Sequence, residues 1–179
     1  MPRSASSEFV FSTVANSSII SLKEILDFVN NNLPDNIAKV PVNFKVKVIV
    51  SELLNNAIKH AGDAETTFHI FIDDETIGIQ KTDYGRRFNP NNLLSMPGTS
   101  PGTRIKISED VIHKVYAIIE NQSMIRFTCV EDTTVSFPDV LDIMEHFGLL
   151  IITKSADKFT YEYDYVTGLN KFSVILRLN

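Results

Sequence analysis

Apolar residues alternate with polar ones in some stretches of this chain and recur every three or four residues in others, which predicts a domain of mixed strands and helices. Glu8 to Ile20 reads as a first strand, with Phe9, Phe11 and Val14 apolar. Ser21-Leu22-Lys23-Glu24 has the spacing of a capping box, in which a Ser side chain and a carboxylate three residues on satisfy free N–H groups. Leu22, Ile25, Leu26, Val29 and Leu33 follow at helical spacing, so a first helix runs to about Leu33 and stops at Pro34. Phe44 to Val48 alternates like a strand, but Val46, Val50, Leu53 and Ala57 form a helical stripe, which favours one helix from about Val42 to Ala61 ended by Gly62.

Thr66 to Asp73 and Ile77 to Thr82 are rich in β-branched and apolar residues and predict a hairpin around Asp73-Asp74-Glu75-Thr76. Ser95 to Thr103 is a loop dense in Pro and Gly. Ser108 has the character of a cap for a helix through about Asn121, with Glu109 and Asp110 favoured in its first turn by the helix dipole. Met124 to Val130 reads as a strand, and Pro138 as the start of a short helix toward His146. The first seven residues are small and polar and read as a loose tail, leaving residues 8–179 as one domain.

Composition adds limits. A chain of 179 residues that is 44% apolar can build one real core. A net charge of -5, with no strongly basic run, offers no electrostatic attraction for nucleic acid or anionic membrane. Cys129 is alone, so no internal disulfide can form, and with no apolar signal region near Met1 the expected compartment is the cytoplasm. No apolar run approaches the ~20 residues of a membrane span. Within its apolar strand Cys129 reads as a small core residue, and His69 and His113 lack the company of other metal ligands.

The chemistry concentrates in two segments, Glu52-Leu53-Leu54-Asn55-Asn56-Ala57-Ile58-Lys59-His60 and Asp83-Tyr84-Gly85-Arg86-Arg87-Phe88-Asn89-Pro90. On a helix Glu52, Asn56 and Lys59 share one face, placing a carboxylate, an amide and an ammonium about a turn apart. That set suits a magnesium-bound polyphosphate: the Asn56 oxygen is a hard ligand, and Glu52 can orient a hydroxyl or water nucleophile. Each piece also has a plainer reading. Lys59 and His60 equally suit a helix C-terminus, Asp83-Tyr84-Gly85 suits a turn after a strand, and Arg86 and Arg87 suit either solvent or an anion.

In order and spacing these segments resemble the GHKL ATPases, the superfamily of gyrases and histidine kinases, and most closely its anti-sigma-factor-like serine/threonine kinases. The resemblance implies a Bergerat-type fold, a two-layer α+β sandwich in which helices cover one face of a mixed, mostly antiparallel sheet, with ATP and Mg2+ as ligands. It makes Glu52 the catalytic residue and Asn56 the metal ligand; Lys59, on the same helix face, is a candidate phosphate contact. Asp83 would accept a hydrogen bond from the adenine amino group, and Gly85 would let the backbone approach the ring. Arg87 stands where the family's second glycine lies. Near the end, Gly148 and Leu149 match half of a G-x-G-L element before a helix, His146 replacing the first glycine, and Ser173 falls where a strand Thr helps hold adenine.

No clear counterpart exists for residues 91–137, which read as a lid or insertion. The resemblance implies phosphorylation or sequestration of a regulatory protein, an anti-anti-sigma-like or sigma-like partner, and leaves a homodimer open. The replaced glycines favour an alternative, a non-catalytic partner-switching module that keeps the fold and binds little nucleotide. The chain shows no long helical pair with a phospho-accepting histidine, which argues against a sensor histidine kinase.

Overall fold

The computed structural model describes residues 4–11, 18–60, 65–89, 100–110, 112–131 and 147–178. The strands are β1 (Ser4–Phe11), β2 (Thr66–Asp73), β3 (Thr76–Asp83), β4 (Arg104–Glu109), β5 (His113–Ile119), β6 (Met124–Glu131), β7 (Lys158–Tyr163) and β8 (Asn170–Arg177). The helices are α1 (Ser18–Asn32), α2 (Lys39–His60) and α3 (Phe147–Ser155). The eight strands form one sheet in the order β1-β2-β3-β8-β7-β6-β5-β4.

Every neighbouring pair is antiparallel, where a mixed sheet was expected. Short turns join β2 to β3, β4 to β5, β5 to β6 and β7 to β8, and a hairpin can only reverse direction. Two helices separate β1 from β2, so the chain goes out along one and back along the other and again enters its neighbour reversed.

Burial alternates along the strands and assigns the two faces. Phe68, Ile70 and Ile72 of β2, Ile77 and Ile79 of β3, Phe159 and Tyr161 of β7, and Val174 and Leu176 of β8 are buried. Against this face pack α1 on β1 and β2, α2 on β3, and α3 on β4 through β7, with α2 between the other two helices. The result is a two-layer α+β sandwich with one continuous core.

Both long helices follow the predicted stripes. Ile25, Val29 and Leu33 are buried from α1, and Val46, Ile49, Val50, Leu53, Leu54 and Ala57 from α2. Phe44, Lys45 and Lys47 are exposed, so the strand-like alternation of Phe44–Val48 does not govern that segment. Pro41 sits in the first turn of α2, where a missing N–H breaks no intrahelical bond.

Three expectations are corrected. β1 begins at Ser4, because Ser4–Ser7 pair with Ile70–Asp73, and α1 begins at Ser18, inside the stretch read as strand. The helix expected from Ser108 to Asn121 is instead the hairpin β4–β5. His113, Val115, Ala117 and Ile119 are buried with a period of two, and the Asp110 carboxylate accepts from the N–H groups of Ile112 (2.9 Å) and His113 (2.6 Å), forming a turn in place of a helix cap. Residues 104–131 thus extend the sheet beyond β7 within the stretch read as an insertion. The Pro138 helix, Gly62, His146 and residues 95–99 of the loop lie outside the described residues. Among the described residues no helix is long and apolar enough to cross a membrane.

Candidate functional site

Helix α2 carries Glu52 and Asn56 half-buried and Lys59 exposed near its end. A β-carbon built on Gly148 would lie 2.5 Å from Oε2 of Glu52, so the absent side chain is what admits the carboxylate. Gly148 is the second residue of α3 and Leu149 the third, within the first turn of the helix and not in a loop before it. Leu149 is buried in the core, a packing residue. Gly148 meets Glu52 of α2 at a helix end whose first N–H groups lack intrahelical acceptors.

The second cluster lies at the end of β3. Register places Asp83 between Thr66 of β2 and Asn170 of β8, all on the helix-facing side. Asp83 is held from three directions: by the Lys81 ammonium, by Asn170 Nδ2 at 3.0 Å and by the Gly85 N–H at 2.8 Å. Asn170 Nδ2 also donates to the Gly85 carbonyl at 2.9 Å, fixing the turn after the strand. Lys81 is two residues before Asp83 and therefore on the same face; burial pushes its ammonium below the usual lysine range, and the adjacent Asp83 charge pulls partly back.

Tyr161 extends this network. Its hydroxyl donates to Asn170 Oδ1 at 2.7 Å and accepts from the Phe88 N–H at 3.1 Å, and burial raises its pKa well above the ordinary tyrosine value. The Phe88 ring contacts Tyr161, Phe172 and Phe127 edge-on at centroid distances of 5.2, 5.6 and 5.8 Å, so it packs against the core.

Arg87 is committed elsewhere. Its guanidinium lies 4.6 Å from the Tyr165 ring centroid and 5.1 Å from that of Tyr163, and donates to the Tyr165 hydroxyl and to the Gln122 carbonyl at 3.3 Å. It ties the β7–β8 turn to the β5–β6 turn. Ser173 is not brought to the site: it pairs with Gln80 and Thr160 on the face away from the helices, because β8 turns Phe172 and Val174 inward and a strand alternates.

A further polar cluster was missed from sequence. Lys154 Nζ lies 2.5 Å from His113 Nε2, and His113 Nδ1 lies 2.9 Å from both Asp110 oxygens, joining the last turn of α3 to the β4–β5 turn. Residues 110 and 154 are far apart in the chain, and reading 108–121 as a helix sent His113 to another direction. Cys129 is partly buried against the core and opposite Val115, and burial raises its thiol pKa.

Among the described residues no group of three or more His, Cys, Asp or Glu converges as a metal site. A magnesium ion at this face would rely on Asn56 together with phosphate oxygens and water. No protein-family model matches this chain, and no curated protein matches it either.

Proposed function

We propose that this chain has a Bergerat-type fold, binds Mg-ATP between α2 and the start of α3, and transfers the terminal phosphate to a Ser or Thr of a regulatory protein in the cytoplasm. The observation that carries the reading is the approach of the Glu52 carboxylate to Gly148, which joins two of the three matched segments across the helix layer. In this reading Asn56 holds the metal, whose charge neutralises the phosphates, and Lys59 adds a flexible cation beside them. Glu52 orients the acceptor hydroxyl and takes its proton. Asp83 accepts from the adenine amino group through its remaining lone pair.

A second reading, a partner-binding module with little nucleotide affinity, is supported by the base end: Lys81, Asn170 and Gly85 already engage Asp83, and Phe88 packs into the aromatic core. Calorimetric titration with ATP, with and without magnesium, separates the two. A dissociation constant on the order of tens to hundreds of micromolar is expected, weaker than a fully glycine-lined site by about 1–3 kcal/mol of lost backbone donors. Glu52→Ala should keep nucleotide and lose transfer to protein, whereas Asn56→Ala should lose the magnesium-dependent part of binding. Absence of binding at millimolar ATP would leave the partner-binding reading standing alone.

A further inference from the structure

Lys81 and Asp83 hold unused hydrogen-bonding capacity where water has little access, being 3% and 4% exposed. A carboxylate offers about four acceptor sites and an ammonium three donors. Among the described residues Asp83 accepts from Lys81, Asn170 and Gly85, and Lys81 donates only to Asp83. One acceptor site and two donors therefore remain side by side. Across the ladder, the hydroxyl of Thr66, register partner of Asp83, is buried and among the described residues has no hydrogen-bond partner. Buried polar groups in native proteins are nearly always matched by protein, water or ligand, so three under-used groups at one spot mark a place for a polar guest. The next residue, Tyr84, is exposed, which puts the cluster at the margin of the layer.

We infer that Lys81 and Asp83 together read the edge of a nitrogen heterocycle that presents a donor beside an acceptor, Asp83 accepting and Lys81 donating. Adenine presents such edges, its 6-amino group lying between N1 and N7. The inference rests on the Mg-ATP reading and adds to it: the resemblance assigns the amino group to Asp83 and gives position 81 no role. An apolar residue would serve the inner face of β3 as well as the neighbouring Ile79 does, whereas a lysine there brings a charge into the core, balanced among the described residues by the Asp83 carboxylate and by the face of the Phe172 ring 5.3 Å away.

The test is competition binding of ATP, 1-deaza-ATP and 7-deaza-ATP, each with magnesium, to the full chain and to Lys81→Met. On wild type, removal of the ring nitrogen that Lys81 contacts is expected to weaken binding on the order of tenfold or more, with the other analogue unchanged. In Lys81→Met, ATP should fall to the affinity of the weakened analogue and the difference between them should vanish. The analogue arm uses unaltered protein, so it decides the question even if Lys81→Met does not fold. Equal affinity of wild type for ATP and both analogues overturns the role of Lys81 while leaving the Mg-ATP reading intact. Failure of all three to bind at millimolar concentration overturns both.

Discussion

The α2 face and the β3 end differ in how far folding has already used their chemistry. Glu52 and Asn56 are half-buried and Lys59 is exposed, whereas Lys81 and Asp83 are buried and bound to each other. A group on the first face can be changed without leaving a buried charge behind; a group at the second cannot. Mutations at the α2 face therefore test the proposed chemistry, and mutations at Asp83 report on folding as well, so a loss of nucleotide binding there means little without a stability measurement beside it.

The largest expected effect sharpens this contrast. Asp83→Ala leaves the Lys81 ammonium buried without its counter-ion and should cost about 3–5 kcal/mol in urea unfolding, while Asn56→Ala should stay within about 1 kcal/mol. Equal losses from the two would break the comparison. Asp83→Asn, the substitution that most directly tests the adenine contact, carries part of the same penalty, so its ATP affinity is meaningful only under conditions where the protein is shown to be folded.

A smaller effect is expected from Arg87→Ala, which removes a guanidinium held by two tyrosine rings and two charge-assisted hydrogen bonds, to the Tyr165 hydroxyl and the Gln122 carbonyl. Thermal unfolding should show a loss of about 1–2 kcal/mol. Nucleotide affinity and its salt dependence should stay unchanged, since the side chain is engaged by Tyr163, Tyr165 and Gln122. A clear fall in the salt slope of binding would instead place Arg87 on the phosphates.

The smallest effect concerns pH. Burial works against the Asp110 carboxylate, but hydrogen bonds from Ile112 and His113 outweigh it and hold its pKa below the ordinary 3.8. The stabilisation is therefore complete above that value and is lost as pH falls through the lower folded pKa. Asp110→Asn should lower stability at neutral pH by less than about 1 kcal/mol and flatten the acid limb of the stability curve below about pH 4. An unchanged acid limb would show that the turn does not depend on the charge.

Local pattern was enough wherever one face of an element is buried and the period is unambiguous. The amphipathic stripe of α2, the β2–β3 hairpin around Asp73 and the strand β6 were legible for that reason, as was the sharing of one α2 face by Glu52 and Asn56. It failed at Ser108–Asn121, where Ser-Glu-Asp suits both a helix start and a strand followed by an Asx turn, and only pairing of β5 with β4 and β6 selects the period of two. Side-chain direction at a strand position needs the register of neighbours as well, which is why Ser173 falls on the far face. Local pattern decided the two long helices, the β2–β3 hairpin and the common face of Glu52 and Asn56, because those depend on contacts a few residues apart. Only the tertiary structure decided that Asn170 would meet Asp83, that tyrosines from β7 and its turn would hold Arg87, and that Glu52 would lie against Gly148. Hydrogen bonding, ring contacts and close approach are settled by burial and distance between segments that local pattern does not encode.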